Sequence, residues 1–174
     1  SGATISIGNG ALKFVKKPGF PYVSNWARFV NHDKLLAVKF TVSVGNCNGD
    51  VRARIGGYAL EDTSGHMIWH SLQLKNDENK IFAWVQADDP VTDQSLYEIL
   101  NAEFETPIQI SGNTIHISTV FGLPVLKFTV DGYGTIMYEP DDFIAPSRQL
   151  PFIGIGTRSN NGDGPCTVYF DDVY

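Results

Sequence analysis

Seven side chains with planar groups recur at mostly alternate positions along three consecutive segments of the sequence, residues 51–59, 67–74 and 81–87. They are Arg52, Arg54, Tyr58, Trp69, Gln73, Trp84 and Gln86. Guanidinium and amide groups offer hydrogen bonds in a fixed plane, whereas indole and phenol rings offer broad apolar faces. A saccharide presents both hydroxyl groups and apolar C–H patches. These side chains therefore predict a site for a polar ligand of the carbohydrate type.

Four segments that alternate between apolar and polar residues have to position these side chains: residues 36–44, 51–59, 67–74 and 81–87. Short polar turns join the segments, which predicts an antiparallel meander of half-buried strands. In simple hairpin register, Ser43 opposes Arg52, Arg54 opposes Gln73, and Trp69 lies between Tyr58 and Gln86. All seven side chains then share one face, and His70 lies on the opposite, core-forming face.

Two alternatives stay open for this face. The segment 88–105, or a second layer, could cover it, and Trp69 and Trp84 would then be ordinary core residues. A slip of one residue in register would also turn the seven side chains inward. The two arginines argue against burial, because an unpaired buried charge is costly.

The remainder of the chain also reads as β-structure. Strands are expected at 106–111, 113–120, 125–132 and 135–140 and in two closing segments, and VDGYG at 130–134 is typical of a tight hairpin. A short helix capped by Asp93 and running to about residue 104 is the one helical expectation, with a long loop as its alternative. The prediction is an all-β antiparallel sandwich of ten or more strands, in a single domain over residues 1–174.

Composition excludes several classes of function. The net charge is −6 and the pI is about 5.0, which disfavours nucleic acid as a partner. No run of 18 apolar residues is present, so membrane insertion is not expected. The first residues, SGATISIGNG, lack an initiator Met, and we expect a mature or trimmed chain.

The two cysteines, Cys47 and Cys166, lie just after the strand 36–44 and at the start of the last strand. If those strands pair antiparallel, the two sulfurs meet and close a loop of about 120 residues, which stabilises the fold by roughly 3–5 kcal/mol. The alternative is two unrelated thiols that are buried as small apolar groups.

Acidic residues suggest two further sites. Asp171 and Asp172 on the last strand could bind a structural calcium ion, which takes six to eight oxygens; no other cofactor is expected. Glu103 and Glu105 lie two positions apart, the strand spacing that would bring together the two carboxyl groups that a glycosidase needs. Motifs for a phosphate loop, a serine nucleophile elbow or a metalloprotease are missing from the sequence.

Four segments carry a family resemblance: GNGALKF, LAVKFTVSV, LKFTVDGYGTIMYE and PFIGIGTRSNNGDGPCTVYFDDVY. Together they resemble concanavalin A-like or laminin-G-like jelly rolls, and YFDDVY resembles the last strand of carbohydrate-binding modules. The resemblance implies a lectin-like fold and glycan binding, with calcium at Asp171 or Asp172. The Glu-x-Asp-x-Glu strand motif of the glucanase members is missing, which argues against that activity.

The first hypothesis is therefore a non-catalytic carbohydrate-binding domain, secreted or displayed on a surface, whose partner is a glycan or polysaccharide. The second is a viral, phage or adhesin receptor-binding head, in which SGATISIGNG ends a fibre shaft. The third is a small glycoside hydrolase or polysaccharide lyase that uses Glu103 and Glu105. The sequence does not decide whether the protein is an enzyme, but it favours a non-catalytic protein.

Overall fold

A computed structural model describes residues 3–8, 10–20, 23–28, 37–45, 47, 49–105, 109–110, 112–121, 125–144, 152–159 and 166–172. These residues form strands joined by turns, and no helix occurs among them. The first sheet contains β1 (Ala3–Gly8), β2 (Ala11–Lys16), β4 (Ala37–Val44), β9 (Thr114–Phe121), β10 (Leu126–Val130), β11 (Gly134–Tyr138) and β14 (Cys166–Asp171). The second contains β3 (Val23–Arg28), β5 (Val51–Asp62), β6 (Met67–Lys75), β7 (Lys80–Asp88), β8 (Ser95–Glu103), β12 (Phe143–Ile144) and β13 (Phe152–Ser159).

Every strand pairing is antiparallel, and the two sheets form a sandwich. The order is β1-β2-β14-β4-β9-β10-β11 in the first sheet and β3-β13-β5-β6-β7-β8 in the second, where β12 also pairs with β5. The inner faces of both sheets supply the core, with side chains such as Phe14, Phe128, Phe170, Ile55 and Leu72 fully buried. The all-β sandwich prediction is confirmed; the extent of the domain over residues 1–174 stays a prediction.

The predicted meander is confirmed for β5, β6 and β7. Arg54 lies opposite Gln73, and Trp69 lies opposite both Tyr58 and Gln86. His70 is fully buried on the core side of β6, as expected. Burial lowers the pKa of this imidazole to about 4, so it is neutral in the core at pH 7.

The expected pairing of Ser43 with Arg52 is wrong. Strand β4 belongs to the first sheet, where Ser43 lies opposite Tyr169 and Thr114. The chain crosses from one sheet to the other between Val44 and Val51, both of which are buried. The alternation of apolar and polar residues shows which side chains of a strand are buried. This alternation is the same whether the next strand pairs with the first or belongs to the other sheet.

The short helix expected from Asp93 to about residue 104 is also wrong. Ser95–Glu103 is strand β8, which pairs with the outer edge of β7. Two register irregularities interrupt this pairing and break the regular alternation of the sequence. Pairing with β7 satisfies the backbone hydrogen bonds of both strands, and this long-range gain overrides local helix propensity.

The cysteine prediction is confirmed. Strand β14 pairs antiparallel with β4, and Cys47 forms a disulfide with Cys166 across a Cα–Cα distance of 4.8 Å. The hairpin at Asp131–Gly132 between β10 and β11 is confirmed as well. Of the expected strand 106–111, residues 106–108 and 111 lie outside the described residues.

The N-terminal segment contributes to the sandwich. Residues 3–8, the proposed end of a fibre shaft, form β1 at the edge of the first sheet and pair with β2 along their whole length. The described part of the chain has no helix with the length and apolar character needed to cross a bilayer.

Candidate functional site

The side of the second sheet that is turned away from the core carries the predicted side chains, and we call it the polar face. Strands β5, β6 and β7 place them there because each alternates between core and outer positions. A cavity of about 350 Å³ lies on this face. Its lining consists of Arg52, Arg54, Tyr58, Trp69, Gln73, Trp84, Gln86, Asp88, Asp93 and Arg158. All seven predicted residues are therefore brought together.

The aromatic rings on this face are half-buried and lie outside the core. The Tyr58 and Trp69 rings meet edge to face at 5.0 Å, and Trp26 of β3 meets Trp69 in the same way at 5.3 Å. Strand β8 extends the sheet beside β7, so the segment 88–105 does not cover Trp84 as a second layer. Rings held in this way keep a fixed orientation while part of each stays accessible.

Two glycines on this face allow neighbouring strands and side chains to approach closely. Gly156 of β13 lies between Arg54 and Trp26 in the register. A Cβ atom added at Gly156 would lie 2.9 Å from the Trp26 ring. At Gly56 an added Cβ would lie 2.6 Å from the side chain of Ser71 on β6. These close approaches explain why glycines lie beside bulky residues on this face.

Arg52 is held by charged and polar neighbours. Its Nε and Nη2 atoms donate to the Asp50 carboxylate at 2.8–3.2 Å, and its Nη1 atom donates to Gln73 Oε1 at 3.3 Å. The guanidinium lies 5.6 Å from the centre of the Phe82 ring. Such charge-assisted contacts fix the plane of the guanidinium at the cavity wall.

Arg54 is buried, and hydrogen bonds and an aromatic ring help to hold its guanidinium. Its Nη2 atom donates to Ser24 Oγ at 2.8 Å and to the Thr157 carbonyl at 3.2 Å. Its guanidinium carbon lies 4.4 Å from the centre of the Trp26 ring, which is a cation–π geometry. These oriented dipoles and the ring face help to compensate the burial of this arginine.

A chain of hydrogen bonds crosses the other end of the cavity. Trp84 Nε1 donates to Gln86 Oε1 at 2.6 Å, and Gln86 Nε2 donates to Asp88 Oδ1 at 2.7 Å. The Tyr58 hydroxyl lies 2.5 Å from Asp88 Oδ2 and 3.2 Å from Asp93 Oδ1. Two carboxylates thus share one phenol at the edge of the cavity.

Burial and neighbouring charges at this end of the cavity change the pKa values of Asp88 and Tyr58. The pKa of Asp88 is raised, mainly by burial and to a smaller extent by the nearby Asp93 charge. The hydrogen bonds from Tyr58 and Gln86 lower this pKa and offset part of the increase. Burial and the Asp88 carboxylate raise the pKa of Tyr58 well above its usual range. Tyr58 therefore stays protonated and acts as a donor.

Several residues of this site were not predicted: Ser24, Trp26, Asp50, Asp88, Asp93 and Arg158. Trp26 lies between Asn25 and Ala27, and Arg158 lies between Thr157 and Ser159, so neither segment shows a clear alternation of polar and apolar residues. What the sequence does not show is that β13 lies beside β5, with Arg158 directly opposite Arg52. Asp93 has a left-handed backbone at φ 57°, in the turn where helix capping was expected.

The two residues of the predicted catalytic pair lie at the end of β8 and just beyond it. Glu103 ends β8 and accepts a hydrogen bond from Lys80 at 3.2 Å, beside a smaller cavity that also borders Arg52 and Trp84. Glu105 follows the end of β8 and is exposed. Glu105 lies outside the strand, and the catalytic role of the pair stays a prediction.

Asp171 and Asp172 are both exposed at the end of β14. Asp171 Oδ1 accepts a hydrogen bond from the Asp172 backbone N–H at 2.8 Å. Among the described residues, no group of three or more His, Cys, Asp or Glu side chains is arranged to hold a metal ion. The two carboxylates alone fall short of the oxygens that calcium takes, so the calcium site stays a prediction.

No protein-family model matches this sequence, and no curated protein sequence matches it. Solved structures do match. Carbohydrate-binding module CBM66 from Bacillus subtilis is 12% identical, with a TM-score of 0.50 over 98% of this chain and 89% of that chain. A Bacteroides ovatus GH16 protein of the mixed linkage glucan PUL, in complex with a product, is 9% identical, with a TM-score of 0.62 over 99% and 85%.

Crh5 transglycosylase in complex with NAG is 12% identical, with a TM-score of 0.62 over 98% of this chain and 74% of that chain. At such identities the likeness shows the fold alone. The strand order and these similarities together define a concanavalin-like jelly roll, as the sequence resemblance implied.

Proposed function

We propose that this chain is a non-catalytic carbohydrate-binding domain and that the polar face is its glycan-binding site. One observation carries the proposal: all seven planar side chains that the sequence singled out line a single cavity. The cavity offers half-buried rings beside hydrogen-bonding groups that are held by their neighbours. Small-ligand sites commonly combine apolar surface with a few fixed polar groups in this way.

The side chains divide into two roles. Tyr58, Trp69 and Trp84 stack on the apolar faces of sugar rings. The four polar side chains bind sugar hydroxyl groups: Arg52, Arg54, Gln73 and Gln86. Their planes are fixed by contacts within the sheet, for example from Arg52 to Gln73. Carbohydrate binding is also consistent with the similar structures, which include a carbohydrate-binding module and a GH16 protein of a mixed linkage glucan PUL with bound product.

Affinity gel electrophoresis against a panel of polysaccharides, with Trp84→Ala and Trp69→Ala variants, tests the site. Each variant should weaken binding by about tenfold or more, since a buried large side chain contributes about 1.5–3 kcal/mol. Tyr169→Ala is the matched control, because this exposed ring lies on β14 of the other sheet. Retention of full affinity by both tryptophan variants would rule out the polar face as the site.

We also propose that the protein works outside the cell, secreted or displayed on a surface. A disulfide between Cys47 and Cys166 is stable in oxidising compartments and rare in reducing ones. Fractionation of the native host followed by immunoblotting under non-reducing conditions tests the location. Recovery of the chain from the cytosol with both thiols free would contradict it.

A structural calcium ion at Asp171 and Asp172 remains a further proposal. It is supported by two adjacent carboxylates and by the left-handed backbone of Asp172, at φ 50°. The unfolding temperature of the native chain should differ between calcium and a chelator. The unfolding temperature of an Asp171→Asn/Asp172→Asn variant should be the same in both. Identical unfolding temperatures with and without calcium would remove this proposal.

Glycoside hydrolysis at the same cavity is a second candidate function. The observation that favours it is the pair Asp88 and Asp93, both within 3.2 Å of the Tyr58 hydroxyl. Hydrolysis by two carboxyl groups needs them close together with different proton affinities. Release of reducing sugars that is lost in Asp88→Asn and kept in Glu105→Gln would favour the enzyme. No release from any bound polysaccharide would favour the binding domain.

A further inference from the structure

Two cavities on the polar face share part of their lining. The cavity of about 350 Å³ described above has a second cavity, of about 150 Å³, beside it. Arg52 and Trp84 line both of them. Strand β8 contributes to the second cavity and not to the first, through Asn101 and Glu103. The polar face therefore continues past Trp84 onto the edge strand of the second sheet.

The strand register gives this surface its length. Asn101 lies directly opposite Trp84, and Glu103 lies directly opposite Phe82, so β7 and β8 present these side chains on the same side. Strand β7 (Lys80–Asp88) pairs with β6 without any irregularity, and its alternate residues all face the polar side. At strand spacing they extend over about 27 Å. The surface along β7 is therefore much longer than a single sugar ring.

The Trp84 ring is held at the junction of the two cavities. On the side of the first cavity, its Nε1 atom donates to Gln86 Oε1 at 2.6 Å. On the side of the second, its ring meets the Phe82 ring edge to face at 6.3 Å. Contacts on both sides fix the plane of this half-buried indole, which offers its ring to a ligand that enters either cavity.

The charged side chains of the second cavity pair with one another. Lys75 contacts Glu78. Lys80 Nζ lies 3.3 Å from Glu78 Oε2 and 3.2 Å from Glu103 Oε1. The Arg52 guanidinium, which borders both cavities, has a carboxylate partner as well. Because these opposite charges offset one another, the second cavity favours an uncharged ligand that forms hydrogen bonds through hydroxyl groups.

We propose that the two cavities bind one continuous stretch of a linear, uncharged polysaccharide that passes over Trp84. This inference rests on the glycan-binding function proposed above. The paired rings of Tyr58 and Trp69 hold a sugar unit in the first cavity, and Asn101 and Glu103 form hydrogen bonds to a unit in the second. A ligand that reaches both cavities binds more tightly than one that fills either, because its second contact costs little further freedom of movement.

Isothermal titration with size-sorted fragments of cellulose and laminarin, from disaccharide to hexasaccharide, tests this inference. In at least one series the affinity should rise with length by about tenfold or more, as the ligand reaches the second cavity. Asn101→Ala should lower the ratio of hexasaccharide to disaccharide affinity about threefold to tenfold, the effect of one lost hydrogen bond. Gln109→Ala is the matched control, because this exposed amide lines neither cavity.

The outcomes separate this inference from the function on which it rests. Equal affinity for the disaccharide and the hexasaccharide, lost in Trp84→Ala, would overturn the two-cavity ligand and leave the glycan site standing. A rise with length that Asn101→Ala leaves unchanged would overturn the part played by the second cavity. Binding of polygalacturonate without binding of either fragment series would overturn the uncharged ligand. Failure to bind any polysaccharide of the panel would overturn both proposals.

Discussion

Reduction of the Cys47–Cys166 disulfide should lower the stability of the sandwich by about 5 kcal/mol. The bridge closes a loop across 119 positions of sequence, and the chain-entropy relation for a loop of this length gives about 4.9 kcal/mol at 25 °C. Unfolding entropy is about 2.1 cal/mol/K per residue for a chain of 174 residues. The unfolding temperature should therefore fall by about 13 °C.

This magnitude applies when the folded state keeps its shape without the bridge, and the contacts around Cys47 indicate that it does. Asn76 Nδ2 donates to the Cys47 carbonyl at 3.1 Å, and Asn76 Oδ1 accepts from the Val51 N–H at 2.9 Å. Gly45 N–H donates to the Thr167 carbonyl at 2.9 Å. The crossover from β4 to β5 thus stays anchored, and the loss falls mainly on the unfolded chain.

The assay is thermal unfolding followed by tryptophan fluorescence, with and without a phosphine reductant, after mass spectrometry has shown that both thiols are free. A Cys47→Ala/Cys166→Ala variant is the control, and its unfolding temperature should not respond to the reductant. A fully reduced native chain that unfolds within about 3 °C of the oxidised one would refute the reasoning from loop entropy.

Three further perturbations probe the core and the polar face. Burial lowers the pKa of His70 from 6.5 to about 4, so stability that is complete above pH 6.5 should fall by about 3 kcal/mol on acidification to pH 4. Urea titrations of His70→Leu should show a flatter acid limb. Burial raises the pKa of Asp88, so ionisation of this carboxyl group lowers the stability of the native chain as pH rises through the folded pKa. The Asp88→Asn variant cannot ionise here, and its stability relative to the native chain should therefore grow between pH 3 and pH 8. A stability difference that does not change with pH would contradict this sign. Gly156→Ala would force a methyl group against the Asn25 carbonyl oxygen and the Trp26 ring. It should cost about 1–3 kcal/mol in denaturant unfolding and should change indole fluorescence. Gly8→Ala, with open space around the added Cβ, should be neutral.

Alternation of side chains was sufficient to predict the centre of the polar face. Strands β5, β6 and β7 are joined by short polar turns, and a period of two then fixes both the face and the partner of each residue. Arg54 opposite Gln73 and Trp69 opposite Gln86 follow from these two facts alone. The position of Cys166 beside Cys47 followed from a similar argument about strand ends.

Long-range pairing was not readable from the sequence. Strand β4 has the same alternation whether it pairs with β5 or crosses to the other sheet, and here it crosses. Trp26 and Arg158 reach the polar face because β3 and β13 continue the sheet beyond β5. The neighbour of each strand depends on contacts between distant parts of the sequence, which for β13 and β5 lie about 100 residues apart.

The hydrogen bonds within the polar face bear on how a ligand would bind. Trp84 donates to Gln86, and Gln86 and Tyr58 both contact Asp88, so these side chains are oriented before any ligand arrives. Fixing a mobile side chain at a binding site costs about 0.5–1.5 kcal/mol. Folding has already fixed these side chains, because Trp84, Gln86 and Asp88 follow one another on one face of β7 and Tyr58 reaches Asp88 from β5. A ligand therefore needs to displace few internal contacts, and its affinity depends on the groups that still face the cavity: the ring faces, the remaining guanidinium donors and the remaining carboxylate lone pairs.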